Sequence, residues 1–220
     1  KPIQLVWTRE DDIQQGPFRP ASLMRIKAGV DNDGNLIAWD AARAGADISP
    51  DTFRSLLPAL YSWMGDGMIE GVANLSEWYF EKFATDESST EGLFEDYDHP
   101  NTRVTHMTVD HELPMTFWRS VGHSYTAFAK ESMIDEMAEA AGMDEVAFRL
   151  QNTQNTPRLN NVIRVAGEHM AKMNPPEGHH LGFAAHHSFY TDVAEIAEVS
   201  VENGKIRVHK VTCVLDCGQA

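Results

Sequence analysis

Between Ser124 and Ala141 the residues Ala127, Ile134, Ala138 and Ala141 recur at spacings of seven, four and three, with Met133 and Met137 beside them. Such spacing is one stripe of a helix, and no strand holds it on a single face. A stripe of this length has to be buried against other elements, so the rest of the chain must supply a partner surface. Gly142 provides a stop, because glycine accepts the left-handed conformation that closes a helix. Asp144 is placed to cap a second, short helix carrying Val146, Phe148 and Leu150. A third helix spans about Leu159 to Met173 and ends before Pro175-Pro176.

On either side of this helical block the pattern turns to β. Ile3 to Thr8 reads as a strand, ended by Arg9-Glu10-Asp11-Asp12. Leu23 to Val30 and Leu36 to Trp39 flank Asp31-Asn32-Asp33-Gly34, residues that tolerate positive φ and so mark a hairpin. Val193 to Val201 and Ile206 to Leu215 flank Glu202-Asn203-Gly204-Lys205, a stronger hairpin signal of the same kind. Arg103 to His111 alternates and reads as a further strand. The Asp47 to Gly71 stretch is mixed: Phe53, Leu56, Leu57 and Leu60 have helical spacing, while Met64 to Met68 looks like a loop. Asp86 to Asp98, acidic and rich in Ser and Thr, reads as a solvated loop and as the place for a boundary in the first half. The expectation is an α+β fold, with β-hairpins flanking a helical segment. Residues 1–220 form one partial domain, divisible into sub-lobes 1–174 and 175–220.

Charge and composition exclude several function classes. The net charge is -15, from 33 acidic and 18 basic residues, and such a surface repels phosphate backbones, so no nucleic-acid partner is expected. No run of about 18 apolar residues occurs, so no membrane span is expected. The only cysteines are Cys213 and Cys217. Four extended residues span roughly 13 Å, too far for a disulfide without a turn. Two thiols also fall short of the four ligands an iron–sulfur cluster requires. Lys1 in place of methionine, and an end at Cys217-Gly218-Gln219-Ala220 straight after an apolar run, read as a piece cut from a longer protein.

The candidate site is Pro114-Met115-Thr116-Phe117-Trp118-Arg119-Ser120-Val121-Gly122-His123-Ser124, a loop running into the strongest helix. Free N–H groups and the positive end of the dipole suit such a junction to anions. Arg119 adds a bidentate cationic fork, and Gly122 lets backbone approach a ligand closely. An ordinary structural loop-to-helix junction is the plain alternative. Glu131 falls on the apolar stripe of the helix, so its carboxylate needs a partner, and Arg119 is one candidate. The pairs His179-His180 and His186-His187, with His169 and Asp192, are a zinc candidate, but none fits a known metal spacing and adjacent histidines on a strand face opposite ways. Ser120 near His123 lacks the G-x-S-x-G elbow of a hydrolase.

Several runs resemble the xanthine dehydrogenase/aldehyde oxidase superfamily. Pro2 to Asp12 (Pro-Ile-Gln-Leu-Val-Trp-Thr-Arg-Glu-Asp-Asp), with Phe18-Arg19-Pro20, resembles the superfamily at large. Phe117 to Ser124, Phe128 to Glu136, Asp144 with Phe148-Arg149-Leu150, and Val193 to Val201 with Val214-Leu215-Asp216-Cys217-Gly218 resemble the branch typified by the β chain of isoquinoline 1-oxidoreductase. The resemblance implies part of a molybdenum-cofactor-binding domain whose cofactor is molybdopterin cytosine dinucleotide. It implies hydroxylation of an N-heterocycle or an aldehyde with oxygen from water, and electrons leaving through a small [2Fe–2S] subunit. It sets Trp118, Arg119, Ser120, Val121 and Gly122 beside the cofactor, with Val121 facing the substrate. The glycine-rich and glutamine loops that grip the cofactor, and the glutamate that acts as base, match nothing here. No catalytic residue and no metal ligand is therefore assigned to this chain, which is expected to hold no cofactor and be inactive alone. A periplasmic location is favoured for the parent, with the cytoplasm as the alternative. The other function class is a non-catalytic α+β binding or assembly module.

Overall fold

The computed structural model describes residues 2–109, 113 and 115–219. Among them the order is α1 (Arg9–Gln15), β1 (Ser22–Val30), β2 (Leu36–Gly45), α2 (Ser49–Leu60), α3 (Asp66–Lys82), α4 (Glu87–Thr90), β3 (Thr102–Thr108), α5 (His123–Ala140), α6 (Glu145–Gln151), α7 (Pro157–Met170), β4 (His179–Ser188), β5 (Thr191–Glu202) and β6 (Lys205–Asp216). The strands form two sheets, β1-β2-β3 and β4-β5-β6. This is the expected α+β class. The chain divides into two units, each drawn from three stretches. The first takes Lys1–Leu23, Ala44–Ser89 and Met107–Val121; the second takes Met24–Arg43, Thr90–His106 and Gly122–Ala220. The change at Ser89/Thr90 lies inside the acidic 86–98 segment. The end of the expected Arg103–His111 strand, at Asp110 and His111, and Pro114 of the candidate loop lie outside the described residues.

In the first unit the expected strand Ile3 to Thr8 is absent. Ile3, Leu5 and Val6 are 92%, 80% and 72% exposed, and no described strand pairs with them. Arg9 to Asp12 start a helix instead of ending a strand. Thr8 Oγ1 accepts from Asp11 N–H at 3.1 Å, and Asp11 Oδ2 accepts from Thr8 N–H at 3.2 Å, a capping box that favours α1 over an extended chain. Helix α2 carries the expected Phe53–Leu60 spacing. Helix α3 covers Asp66 to Met68, which read as loop; its buried residues are only Ile69 and Ala73, too short a stripe to reveal a helix. Arg54 ties the two helices together. Its guanidinium donates to Asp51 (2.7 Å), Glu70 (3.3 Å), Asn74 (3.1 Å) and Glu77 (3.0 Å).

The 86–98 segment is not the solvated loop that its composition implies. Asp86 is buried and accepts from Ile48 N–H (2.8 Å), Ser49 N–H (2.9 Å) and the Ser49 hydroxyl (3.0 Å). It thus caps α2 from more than thirty residues away, a role composition cannot display. In the second unit Leu93 and Tyr97 join Leu36, Trp39 and Ala41 of β2, Ile134 and Ala138 of α5, and Phe148 of α6 in one core. Trp39 Nε1–H donates to the Leu93 carbonyl at 3.1 Å.

Helix α5 ends as its sequence dictates. Gly142, at φ +65°, donates to Glu139 O, and Met143 donates to Ala138 O, the paired bonds of a Schellman closure. Asp144 then caps α6, accepting from Val146 N–H and Ala147 N–H. A second core joins Leu159, Val162, Ile163 and Ala166 of α7 to Phe183, Ala185, Ala194 and Ile196 of β4 and β5. Strands β4, β5 and β6 pair antiparallel, with Asn203 (φ +52°) and Gly204 (φ +75°) forming the turn before β6. Strand β4 escaped the sequence reading because its histidines and Gly182 dilute the apolar pattern.

Glu131 lies on the buried face of α5, and its partner is not Arg119. Arg149 Nε (3.1 Å), the Tyr97 hydroxyl (2.9 Å) and Ala185 N–H (2.9 Å) all donate to its carboxylate. Arg149 also pairs with Asp135 at 2.7 Å. Burial opposes the charge on Arg149, but Tyr97, Glu131 and Asp135 outweigh it and raise its pKa. Burial, reinforced by Glu131, raises that of Tyr97.

Candidate cofactor-binding turn

The expected site residues fall on both sides of the unit boundary. Trp118, Arg119, Ser120 and Val121 belong to the first unit, and Gly122 opens the second. Upstream of the turn, Met115 is buried and bridged to Phe18, and its N–H donates to Asp51 at 3.1 Å. Thr116 N–H donates to the Phe18 carbonyl at 3.3 Å. The chain then turns sharply. Val121 N–H donates to Trp118 O at 2.8 Å, and both Ser120 (φ +68°) and Val121 (φ +46°) are left-handed. A β-branched residue in that region is strained, and such strain persists only where surroundings enforce it.

Arg19 supplies part of the enforcement. Its guanidinium donates to the Arg119 carbonyl at 2.7 Å and to the Val121 carbonyl at 3.2 Å. Nothing local in Phe18-Arg19-Pro20 signals this role, because about a hundred residues separate the partners. The Arg119 side chain is exposed.

Gly122 is buried and adopts right-handed helical φ/ψ, so its conformation does not demand glycine. Its carbonyl accepts from Tyr125 N–H (3.2 Å) and Thr126 N–H (3.1 Å). Helix α5 has no side-chain cap and no acid in its first turn. The exposed Arg119 guanidinium suits an anionic group, so this residue fits an oxo- or phosphate-bearing cofactor.

Sequence reading did not connect the cluster that follows Gly122. His123 Nδ1 lies 2.9 Å from His186 Nε2, and His123 Nε2 lies 3.2 Å from Glu91 Oε2. His186 Nδ1 lies 2.8 Å from Lys130 Nζ and 3.2 Å from Asp96 Oδ2. Lys130, fully buried, pairs with the buried Asp96. Burial first, then the charges of His186 and Lys130, push the His123 pKa down to about 4. Burial opposes ionisation of Asp96, but Lys130 and His186 outweigh it and hold the carboxyl below its usual range. A Cβ on Gly92 (φ +79°) would lie 2.5 Å from His123 Nδ1 and 2.8 Å from His186 Cε1. The pattern was hidden because its members come from three separate stretches.

Other histidines have ordinary partners. His179 pairs with Glu198 (2.6 Å) and stacks on His209, while His187 pairs with Asp192 (2.9 Å). Among the described residues no group of three or more His, Cys, Asp or Glu is arranged to hold a metal. None of the described helices is long and apolar enough to cross a membrane. Cys213 and Cys217 are exposed free thiols.

Comparison with known proteins gives one family. The family model of the molybdopterin cofactor-binding domain matches residues 77–153, a range that includes the turn. The β chain of isoquinoline 1-oxidoreductase from Brevundimonas diminuta is 28% identical, over 99% of this chain and 26% of that protein. A nicotinate dehydrogenase subunit from Pseudomonas putida is 30% identical, over 76% of this chain and 13% of that protein. The chain therefore spans about a quarter or less of these relatives' length. Among solved structures, aldehyde oxidoreductase from Desulfovibrio gigas superposes with a TM-score of 0.49 at 19% identity, over 87% of this chain and 21% of that one. The matched family model and the two relatives agree with the motifs noted in the sequence: the chain belongs to the molybdopterin-binding subunits of the xanthine dehydrogenase/aldehyde oxidase family.

Proposed function

We propose that this chain is part of the molybdenum-binding subunit of a hydroxylase that oxidises an N-heterocycle or an aldehyde, takes its oxygen from water and passes electrons to a small [2Fe–2S] subunit. The observation that carries the reading is the turn at Trp118–Gly122. It holds two consecutive left-handed non-glycine residues, is braced by Arg19, and lies within the stretch matched by the molybdopterin family model. Strain of this kind concentrates at ligand sites.

The cofactor of this reading is molybdopterin cytosine dinucleotide, which supplies a two-electron acceptor and the centre at which water is activated. The chain's own residues bind and orient. Arg119 presents a guanidinium fork to anionic oxygens, and Trp118 and Ser120 shape the turn around it. Val121 lines the substrate side. Gly122 brings backbone N–H dipoles at the start of α5 towards the cofactor. The general base comes from elsewhere in the parent, so the chain alone does not turn over substrate.

The test is to express this chain and its full-length parent in a host that makes the molybdenum cofactor. Metals are measured by mass spectrometry, and N-heterocycles and aldehydes are offered with an artificial electron acceptor. The expected result is about one molybdenum per parent subunit, none stoichiometric in the chain, and turnover by the parent only. Arg119→Ala in the parent is expected to lower kcat/KM by tenfold or more, about 1.4 kcal/mol of transition-state binding. A parent without molybdenum, or one zinc per chain, would overturn the reading.

A further inference from the structure

The orientation of the hydrogen bonds in the His123 cluster follows from donor chemistry. An ammonium has only donors, so His186 Nδ1, 2.8 Å from Lys130 Nζ, accepts from it when the imidazole is neutral, and the ring proton sits on Nε2. With Nδ1 accepting from Lys130, His186 Nε2–H donates to His123 Nδ1, which offers its lone pair. The remaining proton of His123 is then on Nε2, which lies 3.2 Å from Glu91 Oε2. His123 is a neutral imidazole of one tautomer with both nitrogens engaged, and its lowered pKa agrees.

Other contacts converge on the same turn of helix. Thr126 Oγ1 lies 2.7 Å from the Glu91 carbonyl and 3.0 Å from the Gly122 carbonyl, strapping the two segments together. The Gly92 backbone approaches the ring pair so closely that no Cβ fits. The Phe189 ring meets His123 edge-on at 5.4 Å, from a turn whose Phe189 (φ +48°) and Tyr190 (φ +65°) are themselves left-handed. With no side-chain cap of its own, the start of α5 is held in place by these neighbours.

We infer that His123 is a positioning residue: gripped by His186 on one side and Glu91 on the other, its ring fixes Gly122 and the first turn of α5. That this hold serves the cofactor rests on the function proposed above; the hold itself does not.

Amide hydrogen exchange on the full-length parent tests it without requiring molybdenum. The probes are the Tyr125 and Thr126 amides, which donate to the Gly122 carbonyl. His123→Ala is expected to speed their exchange at least tenfold while the amides of α7 change less than twofold. His123→Asn, which keeps an acceptor facing His186, is expected to return the rates to within threefold of the parent. Where H123A does not fold, H123N is compared with His123→Leu, which is of similar size and has no acceptor; H123N should protect the two amides several-fold better. In the molybdenum-loaded parent the expected signature of H123A is a fall in kcat of about tenfold with KM within twofold, again rescued by H123N. Unchanged exchange in H123A, a rise shared equally by α7, or no difference between H123N and H123L overturns the inference. A wild-type parent that holds no molybdenum overturns the proposed function instead, and the exchange data still decide the role of His123.

Discussion

Arg149 and Glu131 meet at 3.1 Å in the interior, with side chains that are 0% and 8% exposed. Removing one partner of such a pair leaves a buried charge uncompensated, and the typical cost is about 3–5 kcal/mol. Arg149→Met is therefore expected to destabilise the chain by that amount, since Glu131 would keep only the Tyr97 hydroxyl and the Ala185 amide. Urea denaturation gives the number, and a midpoint within error of wild type would refute the assignment.

The tight approach of Gly92 to the imidazoles gives a second expectation. Gly92→Ala adds a methyl 2.5 Å from His123 Nδ1 at a φ of +79°. The left-handed strain alone costs about 1–3 kcal/mol, before any displacement of the rings. Thermal unfolding should show the loss, and the ring resonances of His123 and His186 should shift together. Loss of stability with both resonances unmoved would mean that the backbone does not press on the pair.

Asp144 caps α6 through bonds of 3.0 and 2.9 Å to Val146 N–H and Ala147 N–H. Asp144→Ala should cost about 1 kcal/mol, while Asp144→Asn, an equally good cap, should stay within a few tenths. Equal losses in the two variants, measured by denaturant midpoint, would contradict a capping role.

Acid should weaken the chain in two steps. The folded state keeps His123 neutral down to about 4, whereas an unfolded histidine takes up its proton near 6.5. Unfolding therefore binds a proton across that interval, and stability falls as pH drops from 6.5 towards 4. Asp96 is held below the usual carboxylate range, chiefly by Lys130 and His186 against the opposing effect of burial. Its contribution is present above the ordinary carboxylate pKa and is lost as pH falls below it. Melting temperature against pH should show both limbs. His123→Asn should flatten the upper limb and leave the lower one, and an unchanged upper limb would exclude His123 as its source.

Local signals explain what the sequence disclosed. The stripe of α5, the Gly142 closure, the Asp144 cap and the Asn203-Gly204 turn each depend on residues within a few positions of one another, and each stands where its pattern says. What remained hidden acts at a distance. Asp86 caps a helix that begins at Ser49, Arg19 braces carbonyls a hundred residues downstream, and Glu91, His123 and His186 assemble only in the fold. The acidic 86–98 stretch misled for the same reason: its charges looked solvated because their partners, Ser49 and Lys130, are far off in sequence. At the turn, Trp118 to Gly122 were legible as a motif, but the left-handed pair Ser120-Val121 was not, because neither residue favours that conformation by itself.

The alternation of the two units along the chain bears on inheritance. Each unit is drawn from three stretches, interleaved from Leu23/Met24 to Val121/Gly122. A single crossover in the gene within that span hands each descendant an incomplete set of segments for at least one unit. Recombination between diverged relatives there mixes residues that must fit one another, such as Arg19 with Val121 or Trp39 with Leu93. A crossover beyond Gly122 still parts the second unit, since Ile134, Ala138 and Phe148 pack with Leu36 and Trp39. The expected mark in a set of relatives is a shared ancestry for residues 24–121 that extends through α5 and α6.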